Sequence, residues 1–188
     1  MKDMIRTFIA IKIIPENELK SFLAMAKNTF RDERIKWVDE FALHLTLRFL
    51  GETTHEQVKG IIRSLEKIAV QTEPFSVQFK GTGYFKNRQM PSVLFVNIEN
   101  AEDLKRLAKN IDKEIVKAGF DIERRVFKPH LTLGRIKFLK DIDRFKMFLN
   151  DYKDQEFQKV QVNEIVFYQS ILKSEGPIYK PIGKFELK

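Results

Sequence analysis

The sequence predicts a two-lobed fold of mixed strands and helices with pseudo-twofold symmetry, and three observations carry that prediction. The order strand, helix, strand, helix, strand occurs twice along the 188 residues. The copies keep a near-constant offset: Phe8 to Phe95 is 87 residues, His44 to His130 is 86, and Phe75 to Val160 is 85. No low-complexity stretch separates them, so residues 1–188 read as one two-lobed domain with halves of roughly 1–88 and 89–188. A chain of this length, 43% hydrophobic, buries a sizeable core without covalent staples.

Phe8–Ile14 is short and β-branched, ends at Pro15 and reads as a strand. Leu19, Phe22, Leu23 and Ala26 recur at helical spacing within Glu16–Phe30. Lys36–Val38 leads into a strand over Ala42–Leu50, closed by Gly51. Thr54–Val70 carries the stripe Val58, Ile61, Ile62, Leu65 and Ile68, with Thr53 or Thr54 as N-cap. Phe75–Phe79 alternates as a strand, and Gly81–Pro91 reads as the turn joining the halves. In the second half, Ser92–Ile98 is a strand and Ala101–Ala118 a helix stopped by Gly119. Pro129–Arg135 holds a strand, Ile142–Leu149 a short helix, and Val160–Leu172 one long strand or two. The tail, Pro177–Leu187, reads as a hairpin partner or edge that packs across the lobes.

Composition narrows the chemistry. The absence of cysteine excludes disulfides, thiolate catalysis and Cys-based metal sites. The three histidines are His44, His55 and His130, so a three-His metal site needs all of them. Lys and Arg number 34 against 26 Asp and Glu, a net charge of +8 that favours polyanionic partners. Asp3 and Arg6 interrupt the start, and no apolar window of membrane-spanning length occurs, so the expectation is a cytoplasmic protein without a membrane partner. Gly81-x-Gly83 lacks the third glycine and following helix of a dinucleotide fingerprint, and there is no Walker motif.

The repeat brings out one feature above the rest. Residues 44–47 and 130–133 both read His-Leu-Thr-Leu. In a strand, side chains two apart share a face, so His44 with Thr46, and His130 with Thr132, form polar faces backed by leucines. A twofold arrangement turns both faces into one cleft. Two imidazoles across a cleft supply one general acid and one general base near neutral pH. The threonine hydroxyls then donate to an anionic oxygen, and a phosphodiester fits without a metal or other cofactor. A single His-x-Thr is an ordinary structural pattern; two at equivalent places, using two of three histidines, are not. His55 has no twin and reads as exposed and non-catalytic.

These residues resemble the two-histidine phosphoesterase superfamily, in particular the RNA 2′,3′-cyclic phosphodiesterases also described as 2′-5′ RNA ligases. The resemblance spans nearly the whole chain: Arg6-Thr-Phe-Ile-Ala, Trp37-Val, His44-Leu-Thr-Leu-Arg-Phe-Leu-Gly51, Gly81-Thr-Gly-Tyr-Phe, Pro91-Ser-Val-Leu-Phe-Val, Phe127-Lys-Pro-His130-Leu-Thr-Leu-Gly-Arg135 and Ser170 to Phe185. It implies a bilobal α+β fold, each lobe a mainly antiparallel sheet lining the cleft with helices outside. It further implies His44 as the acid for the leaving 3′ oxygen and His130 as the base for water, leaving a 2′-phosphate. Ligation, with a 5′-hydroxyl in place of water, is the related reaction.

Around this pair, Arg48 shares strand parity with His44 and reads either as a phosphate ligand at the cleft mouth or as a solvated edge arginine. Arg135 binds phosphate in the resemblance, yet strict alternation puts it on the wrong face unless Gly134 permits a bulge. Phe8, Phe127 and Tyr168 are candidates for base stacking. Trp37 reads as packing. Arg124, Arg125 and Lys128 form a candidate RNA-facing rim, or a solvated surface. The expected partner is RNA with a 2′,3′-cyclic phosphate end, tRNA fragments among the candidates, acted on by a monomer. The alternatives are a cyclic phosphodiesterase on a small nucleotide and a non-catalytic nucleotide-binding module.

Overall fold

The computed structural model describes residues 4–174 and 176–188. Asp3, one of the charges that argue against a leader, and Glu175, within the Ser170–Phe185 stretch, lie outside the described residues. The elements run β1 (Met4–Lys12), α1 (Asn17–Thr29), β2 (Arg34–Trp37), β3 (His44–Thr54), α2 (His55–Val70), β4 (Phe75–Asn87), β5 (Met90–Glu99), α3 (Glu102–Ile115), β6 (His130–Phe138), α4 (Ile142–Asp151), β7 (Glu156–Val162), β8 (Glu164–Leu172) and β9 (Pro177–Glu186). The helices begin and end close to the positions that the apolar spacing and capping residues predict. Thr54 caps α2 in a reciprocal box with Gln57, and Gly119, with φ +84°, stops the turn after α3. Among the described residues no helix is long and apolar enough to cross a membrane.

Two antiparallel sheets result, ordered β3-β1-β8-β9 and β2-β6-β5-β4-β7. The pseudo-twofold relation shows in the orders β3-β1-β8 and β6-β5-β4, so the counterpart of β4 is β8 and not β7, where the offset from Phe75 to Val160 put it. Helices cover the outer faces: α2 and α3 lie against the first sheet, α1 and α4 against the second. Much of the phenylalanine content goes into this packing, as in the chain of touching rings Phe157, Phe22, Phe148, Phe30 and Phe145.

The sheets do not follow the sequence halves. β2 and β4 come from the first half but lie in the second sheet, while β8 and β9 return from the second half to the first sheet. Lys36–Val38 therefore does not lead into the same sheet as Ala42–Leu50. β2 pairs with β6, and the chain crosses over through a 3-10 turn at Glu40–Ala42, capped by Asp39. Gly81–Pro91 is not an inter-lobe turn either. Gly81 and Gly83 lie inside β4, and β4 and β5 form a hairpin turning at Arg88 and Gln89, with φ of +47° and +71°. Gly83 is required within the strand because a Cβ there would stand 2.7 Å from the Phe95 ring. The Val160–Leu172 segment is two strands, β7 and β8.

Two bulges decide which side chains reach the cleft. Arg48 and Thr46 pair with Ile9 and Ala10, which leaves Leu47 without a partner in β3. Gly134 and Thr132 pair with Leu94 and Phe95, which leaves Leu133 without one in β6. An extra residue inverts the alternation beyond it, so the faces of positions 48–49 and 134–135 are exchanged relative to a regular strand. Accordingly Leu133 and Gly134 are both buried, Arg135 is exposed and Ile136 returns to the core.

Gly134 also lets β2 approach. A Cβ there would stand 2.8 Å from Ile35 Cγ2 and 3.3 Å from Trp37 Cε3. Gly134→Ala is expected to cost about 1–3 kcal/mol through overpacking, read as a lowered urea midpoint with an unchanged slope. A neutral or stabilising result would show that β2 yields at no cost.

Candidate active site

Leu43, before His44, has φ −64° and ψ 131°, and its φ is the one that the Pro129 ring imposes at the corresponding place before His130. Each histidine then points its Nδ1 back at the carbonyl two residues upstream. His44 Nδ1 donates to the Ala42 carbonyl at 2.7 Å, and His130 Nδ1 donates to the Lys128 carbonyl at 2.7 Å. A carbonyl only accepts, so Nδ1 carries a proton in both neutral rings and Nε2 is left with the lone pair. Thr46 and Thr132 are half-buried on the same faces, and the leucines between are buried.

Aromatic rings from neighbouring strands hold each imidazole. His44 packs against Phe8 with ring centres 5.0 Å apart and edge-on against Tyr179 at 5.0 Å. His130 packs edge-on against Phe85 at 4.8 Å and Phe95 at 5.4 Å. Phe8 and Phe95 are the pair 87 residues apart, so the repeat extends to the packing of the histidines. Burial in this environment lowers both imidazole pKa values below their ordinary level, against the upward pull of the carbonyl hydrogen bonds. The Arg135 charge lowers both further, and the charge of His130 also acts on His44.

Arg135 thus reaches both histidines electrostatically, as the bulge at Leu133 requires. It also acts on Tyr179, whose hydroxyl pKa is raised by burial and pulled back by Arg135 and Arg6. Arg6 shares the face of Phe8 in β1. Arg48 lies on the wall of a groove it shares with Thr46 and His130, and acidic partners there hold it. Its guanidinium binds Glu123 at 2.5 Å and the Asp121 carbonyl at 2.7 Å. Its Nε is sealed from solvent, 3.3 Å from Asp112 but without hydrogen-bond geometry, so the attraction there is Coulombic. Arg48 therefore ties β3 to α3 and the segment before β6; with its side chain 11% exposed it is not a solvated edge arginine, and its charge is already engaged by Asp112 and Glu123. The Glu123 carboxyl is held below the usual carboxylate range by the Arg125 backbone N–H and by Arg48.

The stacking candidates divide. Phe8 and Tyr168 are 2% and 7% exposed and stack on each other at 5.1 Å, leaving no free face for a base. Phe127 is half-buried beside the cleft. Sequence reasoning missed Phe49, Phe85, Phe95, Tyr179 and Arg6; of these, Phe95 and Arg6 were marked, by the repeat offset and by strand parity with Phe8. Arg124, Arg125 and Lys128 are exposed on the segment entering β6, whereas the corresponding segment before His44 carries Asp39 and Glu40. His55 is exposed at the start of α2. Among the described residues no group of three or more His, Asp or Glu is arranged to hold a metal ion.

Comparison with known proteins agrees with the duplication. The family model described as "LigT like Phosphoesterase" matches the chain twice, over residues 11–95 and 94–179. An RNA 2′,3′-cyclic phosphodiesterase of Methanocaldococcus jannaschii is 34% identical, with 96% of this chain and 99% of that protein aligned. One of Thermotoga maritima is 34% identical over 93% of this chain and 91% of that protein. The crystal structure of TT0787 of Thermus thermophilus superposes with a TM-score of 0.76 at 29% identity, covering 97% of each chain.

The contrast between the two arginines is testable with inorganic phosphate as ligand. Arg135→Ala should weaken phosphate binding by about 10- to 100-fold, the worth of a charge-assisted hydrogen bond. Arg48→Ala should leave that affinity within about twofold and instead lower the melting temperature, because it strands the Asp112 and Glu123 carboxylates. Calorimetric titration and a thermal melt on both variants decide it, and the reverse pattern would restore Arg48 as the phosphate ligand.

Proposed function

The chain belongs to the LigT-like phosphoesterase family, and on that footing we propose that it hydrolyses the 2′,3′-cyclic phosphate at an RNA end to a 2′-phosphate. The observation that supports this reading is the pair of imidazoles with both Nδ1 atoms tied to carbonyls, which leaves the lone pair on each Nε2, and near enough for the charge of His130 to act on His44. His130 acts as base: its Nε2 lone pair takes a proton from water as the water oxygen bonds to phosphorus. On the opposite side the bond from phosphorus to O3′ breaks, and His44, as imidazolium, gives its Nε2 proton to O3′. The products are a free 3′-hydroxyl and a 2′-phosphate. Thr46 and Thr132 donate to the non-bridging oxygens, and Arg135 balances their charge. No metal ion takes part. A 5′-hydroxyl in the place of water would yield a 2′-5′ linkage by the same proton transfers.

The basic segment Arg124, Arg125 and Lys128 favours an RNA chain as substrate, tRNA fragments included, because each backbone phosphate it meets releases counterions. The enzyme acts as a monomer in the cytoplasm in this reading. Incubation with 2′,3′-cyclic AMP and with an oligonucleotide bearing a cyclic phosphate, each with EDTA, tests the activity. Turnover of the oligonucleotide in EDTA is the expected result; a strict, restorable requirement for a divalent ion would overturn the mechanism.

His44→Ala and His130→Ala should each reduce turnover by about 10²- to 10⁴-fold. A diester with a p-nitrophenyl leaving group needs no proton on departure, so it should recover most of the loss in His44→Ala and none in His130→Ala. Recovery in the other variant would exchange the roles.

The pH profile follows from the lowered imidazole pKa values. A base with lowered pKa stays neutral to lower pH, and an acid with lowered pKa loses its proton sooner as pH rises. Both limbs of the bell in kcat/KM therefore move to the acid side of about 6.5, the ordinary imidazole value, and the limbs belong to the pair as a unit. A kcat/KM maximum well above pH 7 would contradict the burial argument.

A further inference from the structure

The flank of the cleft beside His44 carries a cation and two hydroxyls that the reaction above leaves unused. Tyr179 in β9 packs there, with its ring centre 5.0 Å from that of His44 and 4.9 Å from that of Phe8. Arg6 lies two residues before Phe8 in β1, so alternation gives it the same face, and Thr7 between them is buried on the other. Ser170 is the direct partner of Tyr179 in the β8–β9 ladder and lies two residues beyond Tyr168. Arg6, Ser170 and Tyr179 therefore share the face of the first sheet that carries the acid.

Nothing within the protein uses these groups. Among the described residues Arg6 makes no ion pair, although exposed Glu52 is its neighbour in the β1–β3 ladder. The Ser170 and Tyr179 hydroxyls make no hydrogen bond to another described residue, and neither is sealed away from solvent. Burial raises the Tyr179 hydroxyl pKa, so the group keeps its proton and can donate it to an anion. The charges are also ordered across the flank. Arg135 acts on His44, His130 and Tyr179, whereas Arg6 acts on Tyr179 and on neither histidine. Arg135 thus serves the reacting phosphate, and Arg6 stands farther out. The duplication does not repeat this cation: the offset of 87 residues that pairs Phe8 with Phe95 pairs Arg6 with Val93.

The covalent structure of a nucleotide says what a second anion on this flank would be. With O3′ leaving toward His44, the ribose lies on the His44 side. C4′ adjoins C3′ and carries C5′, so the phosphate on O5′ is the next anionic group in that direction, while the base departs from the other end of the ring through C1′. We propose that Arg6, with the hydroxyls of Tyr179 and Ser170, holds the phosphate on O5′ of the nucleotide whose 2′,3′-phosphate lies between the histidines. The preferred substrate is then a cyclic phosphate on a nucleotide that also bears a 5′-phosphate, as the last nucleotide of any RNA chain does, and not a bare nucleoside 2′,3′-cyclic phosphate. This assignment rests on the reading above, in that it takes His44 to stand on the O3′ side.

Equilibrium titrations of adenosine 2′-monophosphate and adenosine 2′,5′-bisphosphate test it. The wild-type protein should bind the bisphosphate at least about tenfold more tightly. Arg6→Ala should weaken bisphosphate binding by about 10- to 100-fold, the worth of a charge-assisted hydrogen bond, and leave the monophosphate within about twofold. Tyr179→Phe keeps the ring against His44 and should weaken the bisphosphate by about 3- to 10-fold, the worth of an ordinary hydrogen bond; it serves as the second variant if Arg6→Ala folds poorly. Lys59→Ala removes an exposed cation on α2 and should leave the ratio of the two affinities unchanged. A dinucleotide with a 2′-phosphate end carries a diester on the same O5′, and its response to Arg6→Ala tells a chain phosphate from a free 5′-phosphate. Equal affinities in the wild type, an unchanged ratio in both Arg6→Ala and Tyr179→Phe, or an equal fall in Lys59→Ala would overturn the subsite. Turnover of 2′,3′-cyclic AMP, followed in parallel, separates the two readings. An Arg6-dependent preference for the bisphosphate without turnover sinks hydrolysis and supports the subsite; turnover with equal affinities does the reverse.

Discussion

The hydrogen bond from each histidine Nδ1 to the carbonyl two residues upstream is the constraint on which the site depends. A neutral imidazole carries one proton and one lone pair, and either nitrogen can hold either. Tying Nδ1–H to a carbonyl fixes the ring orientation and leaves the lone pair on Nε2 in one step. The device is local, because it needs only an extended residue ahead of the histidine: Leu43 in one copy and Pro129 in the other. It therefore survives duplication of the half-domain. Everything else in the cleft, the aromatic rings that desolvate the imidazoles and the threonines beside them, acts on groups already aimed.

Duplication alone would give two identical flanks, and the two bulges remove that equivalence. Both strands gain an unpaired leucine at the same distance from their histidine. In β6 the inversion hides a glycine against β2 and brings Arg135 to the cleft. In β3 it leaves Phe49 exposed and Arg48 held by Asp112 and Glu123 on the wall of the neighbouring groove. Arg48 fastens the first sheet to α3 and to the segment that carries both the basic rim and the Lys128 carbonyl, so the two lobes are joined next to the reacting groups.

Much of this was legible in the sequence. Helix positions followed from apolar spacing and from Thr54 and Gly119, and the paired His-Leu-Thr-Leu segments stood out because a repeat places equivalent residues at one offset. Three things were not legible, each for a physical reason. Sheet membership is decided by non-local pairing, so nothing in β2 or β4 announces that these strands cross to the other lobe. The β4–β5 turn uses Arg88 and Gln89 at positive φ, where glycine or asparagine is the usual signal, and the nearby Gly81 and Gly83 mimic that signal from inside a strand. Period-two reasoning holds only while pairing is regular, which is why strict alternation put Arg135 away from the cleft. The bulge at Gly134 was foreseeable from its lack of a side chain; the one at Leu47 had no such mark. Phe8 packs against His44 and Tyr168 packs against Phe8, so each hides the other's face.

The central claim is that both histidines are held in one tautomer with Nε2 turned to the substrate. Long-range proton–nitrogen NMR correlation on 15N-histidine-labelled protein reads this directly, above the titration of both rings, with His44→Ala and His130→Ala assigning the signals. The account predicts that His44 and His130 both show a protonated Nδ1 and an unprotonated Nε2, while exposed His55 shows the mixture of tautomers found in water. A proton on Nε2 of either His44 or His130 under those conditions would contradict it, since the lone pair would then lie on Nδ1, which could not donate to its carbonyl.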